Sequence, residues 1–156
     1  MHKNLIFGDK ESEFLRELVR QNVDFMIVGL SAAALQGAPV VTQDVDLWFK
    51  DLEDPGIRKA LKKVNCSYIP PINLNPPMFE GKAVNLFDIV THMHGLDEFE
   101  KERKNTIKVP LGRIKVEVLK LERIITSKKV TNRKKDRIVL PVLMDAMAVI
   151  RNRSKD

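Results

Sequence analysis

Cysteine occurs once in the 156 residues, at Cys66, so neither an intramolecular disulfide framework nor a cysteine-rich zinc site can be built. A lone cysteine suits a reducing compartment. No apolar run approaches the ~20 residues needed to cross a bilayer. The opening MHKNLIFGDKESEF carries no apolar signal segment before its acidic cluster. These absences point to a cytoplasmic chain with no membrane partner. Aromatics are only 6% of residues, which leaves the core to Val, Ile, Leu, Met and Ala. Repeats and low-complexity tracts are missing as well. What remains, 44% hydrophobic and 31% charged, is the balance of a folded chain and excludes a disordered one. The length predicts a single domain over 1–156, with a basic helical part at 121–153.

Acidic residues are scarce in one stretch. Lys101 to Arg137 holds fourteen basic and four acidic residues, a local +10 against −4 for the rest of the chain. Such one-sided charge favours a polyanion such as a nucleoside triphosphate, RNA or DNA, and it equally describes a solvated lysine-rich surface.

Periodicity divides the chain into short elements. Phe14, Leu15, Leu18 and Val19 recur at helical spacing within 11–21, with Asp9 or Ser12 available as a cap. Residues 24–28 form an apolar run stopped by Gly29, a buried strand, and 31–36 read as a helix ended by Gly37. Residues 45–49 are a second strand, and a helix starting near Pro55 carries Ile57, Ala60, Leu61 and Val64 on one face. Prolines at 70, 71, 76 and 77 predict an irregular loop over 69–82. A third strand follows over 83–90, and then a hairpin joins 106–109 to 113–119 through Pro110-Leu111-Gly112. Helices over 121–129 and 136–151 complete the chain, with Met144 and Met147 expected in the core. This order predicts an α/β (α+β) fold, with helices flanking a mixed sheet of four or five strands.

Chemistry concentrates in Thr42-Gln43-Asp44-Val45-Asp46-Leu47. Alternate residues of a strand share a face, so Asp44 and Asp46 project together about 6.6 Å apart. Paired carboxylates with no interleaved base repel unless a cation lies between them, and Mg²⁺ or Mn²⁺ is the hard ion that oxygen donors select. In the plain alternative Asp44 caps a turn and Asp46 is merely exposed. Upstream, Gly29 ends a buried strand and opens a small-residue helix, a geometry that offers amides to phosphate. Downstream, Asp88 interrupts the apolar Leu86-Phe87-Asp88-Ile89-Val90, where a charge is costly unless paired or bound to metal. Three carboxylates on two strands could hold two ions ~3.5–4 Å apart, the arrangement of in-line displacement at phosphorus. His92 and His94 read as a metal pair or as solvated loop residues. Cys66 reads as a small buried hydrophobe, and Trp48 and Phe49 read as packing residues.

Residues 25–49 resemble the nucleotidyltransferase superfamily that includes DNA polymerase beta, whose hallmark is Gly-Gly or Gly-Ser, a short helix, Asp-x-Asp and a later Asp. More narrowly, the chain is similar to small prokaryotic nucleotidyltransferases of the abortive-infection toxin and minimal nucleotidyltransferase type. Ser127-Lys128, Arg133 and Lys135-Asp136 correspond to their late Ser-Lys and Arg-x-Lys-Asp segments, so the resemblance spans roughly 14–149. It implies transfer of a nucleoside monophosphate from an NTP to a hydroxyl on RNA or protein. Asp44, Asp46 and Asp88 would be metal ligands, with Asp88 also the general base. Gly29 and Ser31 would line the phosphate loop, and Lys128, Arg133 and Lys135 would contact phosphate or an acidic acceptor. A toxin–antitoxin role with an antitoxin-like helical partner follows by the same analogy. Leu30 stands where the family has its second Gly or Ser and offers neither small volume nor a donor, and Gln36 stands where a His is common. The competing expectation is therefore a catalytically weak or inactive module of this fold that binds nucleic acid or a partner protein.

Overall fold

The computed structural model describes residues 7–154. Helix α1 spans Asp9–Arg20 and buries Phe14, Leu15 and Leu18. Neither Asp9 nor Ser12 caps it: Gly8 occupies the cap position, and no side chain bonds there. Strand β1 (Phe25–Val28) is buried throughout. It runs straight into α2 (Gly29–Leu35), a helix of seven residues. Strand β2 (Val45–Phe49) pairs antiparallel with β1, and α3 (Pro55–Lys63) begins where the Asp54 carboxylate accepts from the Gly56 amide at 2.9 Å.

The proline-rich stretch departs from expectation. A small antiparallel ribbon pairs β3 (Ser67–Ile69) with β4 (Met78–Glu80). All four prolines lie between the two strands, so the breakers shape the tip and leave the ladder intact. Residues 82–84 are the second departure, a turn of 3-10 helix in place of a strand. Strand β5 is confined to Phe87–Val90, because its partner β2 starts only at Val45, whose amide donates to the Leu86 carbonyl. A short helix, α4 (Phe99–Glu102), precedes the hairpin of β6 (Thr106–Leu111) and β7 (Ile114–Leu119). Pro110 sits within β6, which its missing amide permits because β6 is an edge strand.

The main sheet has five strands in the order β5-β2-β1-β7-β6. Both β2·β5 and β1·β7 are parallel and the other pairings antiparallel, so the sheet is mixed as predicted. Helices α5 (Leu121–Thr131) and α6 (Lys134–Ser154) follow β7, separated by Asn132 in a left-handed conformation at φ 49°. No helix among the described residues is long and apolar enough to cross a membrane.

The core joins α1, β1, β2 and β7 through Phe14, Met26, Ile27, Leu47 and Leu119, all fully buried. Trp48 is a packing residue, edge-on to Phe99 with ring centres 5.6 Å apart, and Cys66 is buried. Met144 is not a core residue: 47% of its surface is exposed.

Candidate active site at the β1–α2 and β2–β5 junctions

The two inner strands that carry the site are held in register by the apolar residues around it. Asp46 lies opposite Val28 on one side and opposite Asp88 on the other. In a parallel pair, directly opposed residues share a face, so Asp46 and Asp88 stand on neighbouring strands spaced about 4.8 Å apart. Asp44 precedes the strand instead of lying within it. Its place is set by Thr42, whose hydroxyl donates to the Asp44 carbonyl at 2.8 Å and accepts from the Asp44 amide at 3.3 Å. Asp46 is half-buried, and Asp44 and Asp88 are exposed.

Gly29 has two reasons to be glycine. Its φ of +70° lies where a side chain is strained, and a Cβ there would fall 2.5 Å from Asp46 Oδ2. The carboxylate thus rests against bare backbone at the turn from β1 into α2. Ser31 faces inward: it is 1% exposed and its Oγ donates to the Val28 carbonyl at 2.9 Å. Its hydroxyl is therefore committed to the turn, whereas the sequence pattern had it lining the phosphate loop.

Electrostatics confirm that the carboxylates feel one another. Burial raises the Asp46 carboxyl above its ordinary range, and the nearby Asp88 and Asp44 raise it further, while Lys128 and Lys135 pull it down. Asp88 is raised by burial and then by Asp44. Each of the three thus bears on at least one of the others, as like charges do when no cation separates them. As the side chains stand, no group of three or more His, Cys, Asp or Glu among the described residues closes around one point to hold a metal ion. The donor set has the all-oxygen chemistry that Mg²⁺ and Mn²⁺ select, arranged open.

The end of α5 and the start of α6 bring the cations. Lys128 lowers the Asp46 carboxyl through its charge, while its Nζ bonds Asp136 Oδ1 at 3.2 Å. Arg133 turns onto the same carboxylate, with Nε at 2.9 Å and its backbone amide at 3.0 Å from Oδ2, and Thr131 Oγ1 donates at 2.8 Å. Asp136 is 0% exposed. Burial alone would raise its carboxyl, but these donors hold it well below the usual carboxylate range. Lys135 is exposed and close enough to bias Asp46. The fold therefore sets Asp46 beside Asp88, leaves Asp44, Lys128 and Lys135 within electrostatic reach of Asp46, and ties Arg133 to a structural partner.

Two residues matter more than the sequence reading allowed. Gln36 clasps three elements: its amide donates to the carbonyls of Ala32 and Leu119 at 2.9 and 2.8 Å, and its oxygen accepts from the Leu121 amide at 2.9 Å. It fixes α2 against the start of α5 and satisfies an orphan amide there. Asp136 was visible only as part of a segment. Its spacing of three from Arg133 in a helix's first turn is the signal that could have marked it.

Two solved structures share this architecture. The crystal structure of ANT(2'')-Ia in complex with adenylyl-2''-tobramycin superposes with a TM-score of 0.57 at 12% identity, covering 91% of this chain and 95% of that one. The solution structure of the antibiotic-resistance factor ANT(2'')-Ia gives 0.59 at 13% identity, covering 94% and 91%. No protein-family model matches the chain, and no curated protein matches it in sequence. The chain has a nucleotidyltransferase-like fold, similar over nearly its whole length to an aminoglycoside nucleotidyltransferase.

Proposed function

We propose that this protein is a Mg²⁺- or Mn²⁺-dependent nucleotidyltransferase that moves a nucleoside monophosphate from an NTP to a hydroxyl. The observation that carries the reading is the pairing of Asp46 with Asp88 across β2·β5, with Asp44 just before the strand and the charge of Lys128 felt at Asp46. The ligand pair would be Asp44 and Asp46, with Asp88 the third donor. When bound there, the metal supplies neutralisation of the triphosphate and polarisation of its α-phosphorus. Asp88 takes the acceptor hydroxyl's proton. The acceptor oxygen bonds to the α-phosphorus, the α–β bridge breaks, and pyrophosphate leaves. Lys128 and Lys135 offset charge on the phosphates. The bound adduct named for the similar structure, adenylyl-2''-tobramycin, is itself a nucleotidylated hydroxyl, which supports this class of acceptor. An RNA end or a protein hydroxyl, in a toxin–antitoxin setting with an antitoxin partner, is the finer form of the proposal.

A second reading is favoured by Leu30 and the inward Ser31: a module of this fold that binds without turning over. Labelled NTPs with Mn²⁺ and a panel of RNA, protein and small polyol acceptors separate the two. Transfer that falls at least about a thousandfold in Asp46→Ala and in Asp44→Ala supports the enzyme. No transfer to any acceptor, alongside salt-sensitive RNA binding, supports the module.

A further inference from the structure

Helix α6 is apolar nearly all the way round. From Ile138 to Ile150, thirteen residues run with Asp145 as the single charged or polar side chain. A helix of that kind is normally enclosed, yet the element that α6 packs against is α5. At about 100° per residue, Leu140, Leu143 and Met147 share the covered face, and Leu143 is fully buried. Val139, Ala146 and Ile150 are also partly buried against the core, whereas the opposite face is open among the described residues: Ile138 is 69% exposed, Val149 50% and Met144 47%. On one flank a groove of ≈ 390 Å³ runs between the two helices, floored by Ile125, Met144 and Met147 and edged by Lys129, Arg151 and Glu122, the last two loosely ion-paired at 3.9 Å. An apolar surface this continuous marks an interaction site.

Charge says what covers it. Cations bracket the apolar stretch at both ends, Lys134 and Arg137 before it and Arg151 and Arg153 after it. A second copy laid along α6, parallel or antiparallel, would set cations against cations. A lipid surface fits poorly, because Asp145 stands exposed in the middle of the open face. An amphipathic helix with acidic residues at both ends, an apolar stripe and one cation near its centre matches every feature.

We propose that the open face of α6 and the α5–α6 groove dock such an acidic-ended amphipathic helix from a partner protein. The face is separate from the carboxylate site, and the inference stands whether or not that site is catalytic.

The probe is a synthetic 21-residue helical peptide with leucines at i, i+3, i+4 and i+7, a central lysine and glutamates at both ends. Its control carries lysines at the ends. Fluorescence anisotropy with the full chain should show the acidic-ended peptide binding at least tenfold more tightly than the control. Ile138→Ser with Val149→Ser should weaken it at least tenfold, as should Arg151→Glu with Arg153→Glu, which reads charge alone and keeps the apolar face. All four positions are exposed, and an unchanged unfolding midpoint checks that each variant folds. Equal binding of the two peptides, no binding of either, or binding indifferent to both variants overturns the proposal. So does dimerisation of the chain in sedimentation equilibrium that Ile138→Ser with Val149→Ser abolishes, or co-sedimentation with phosphatidylserine vesicles that the same variant abolishes.

Discussion

Asp46 and Asp136 carry the same carboxyl group into opposite surroundings. Asp136 is wholly enclosed and receives bonds from Lys128, Arg133 and Thr131, so its proton affinity falls. Asp46 is half-buried beside Asp88 and Asp44, and its proton affinity rises. Lys128 belongs to both neighbourhoods, and it completes the first while only softening the second. A buried carboxylate supplied with its counter-charges is a structural joint. A carboxylate facing others of its sign is one that a bound cation would stabilise.

The largest way to break this contrast is to neutralise the joint. Asp136→Asn leaves the largely buried Lys128 without its counter-charge and removes the anchor of the more exposed Arg133, and losing one partner of a buried pair costs about 3–5 kcal/mol. At roughly 2–4 °C per kcal/mol for this length, the unfolding midpoint should fall by about 6–20 °C in calorimetry. A change under ~1 kcal/mol would show that the enclosure is not what holds α5 to α6.

Next in size is supply of the missing charge. With Mn²⁺ at about 100 times its dissociation constant, binding to the folded state alone contributes about 2.7 kcal/mol. The midpoint should rise by about 5–10 °C in wild type, and the rise should vanish in Asp46→Asn. An equal rise in that variant would place the cation elsewhere and sink the proposed site.

Strand pairing is what sets Asp46 beside Asp88, and pairing shows why parts of the molecule were readable and others were not. Local signals were enough for β1, α2, β2 and the β6–β7 hairpin, since buried apolar runs, Gly29 and the alternation after Arg113 each act over a few residues. The Asp-x-Asp pattern and the charge of Asp88 inside an apolar strand could be seen without help, but the placement of Asp88 beside Asp46 depends on β5 lying parallel to β2, a contact between residues 42 apart that no local rule encodes. Ser31 misled because its residue type suits a phosphate loop, while its orientation is set by the Val28 carbonyl. Met144 misled in the same way, since a helix apolar all round gives no periodic clue to which face is covered.

Gly29→Ala is a smaller perturbation that sharpens the comparison. A side chain at φ +70° costs about 1–2 kcal/mol, and the added Cβ meets Asp46 Oδ2. We expect a midpoint lowered by about 2–8 °C and a Mn²⁺-induced rise smaller than that of wild type, because the displaced carboxylate is a ligand. Loss of stability with an undiminished Mn²⁺ response would mean that the contact between Gly29 and Asp46 serves the fold alone.

The smallest effect, on the order of 0.5 kcal/mol for groups this open to solvent, separates the two aspartates by sign. An unfolded carboxylate titrates near about 3.9. Asp46 and Asp88 hold protons more tightly when folded, so between that value and their raised folded values the native state carries the extra proton, and stability falls as pH rises. Asp136 does the reverse: its contribution is present above the unfolded value and is lost as pH falls toward its depressed folded one. Metal-free wild type should therefore gain about 1–2 °C as pH falls from 7 toward the unfolded value of about 3.9, then lose stability below about pH 4. Asp46→Asn should flatten the upper limb and leave the lower one intact, and saturating Mn²⁺ should abolish the gain because the cation competes with the proton. A wild-type midpoint that falls steadily from pH 7 downward, unchanged in shape by Asp46→Asn, would show that the three carboxylates do not repel and that nothing at this junction calls for a cation.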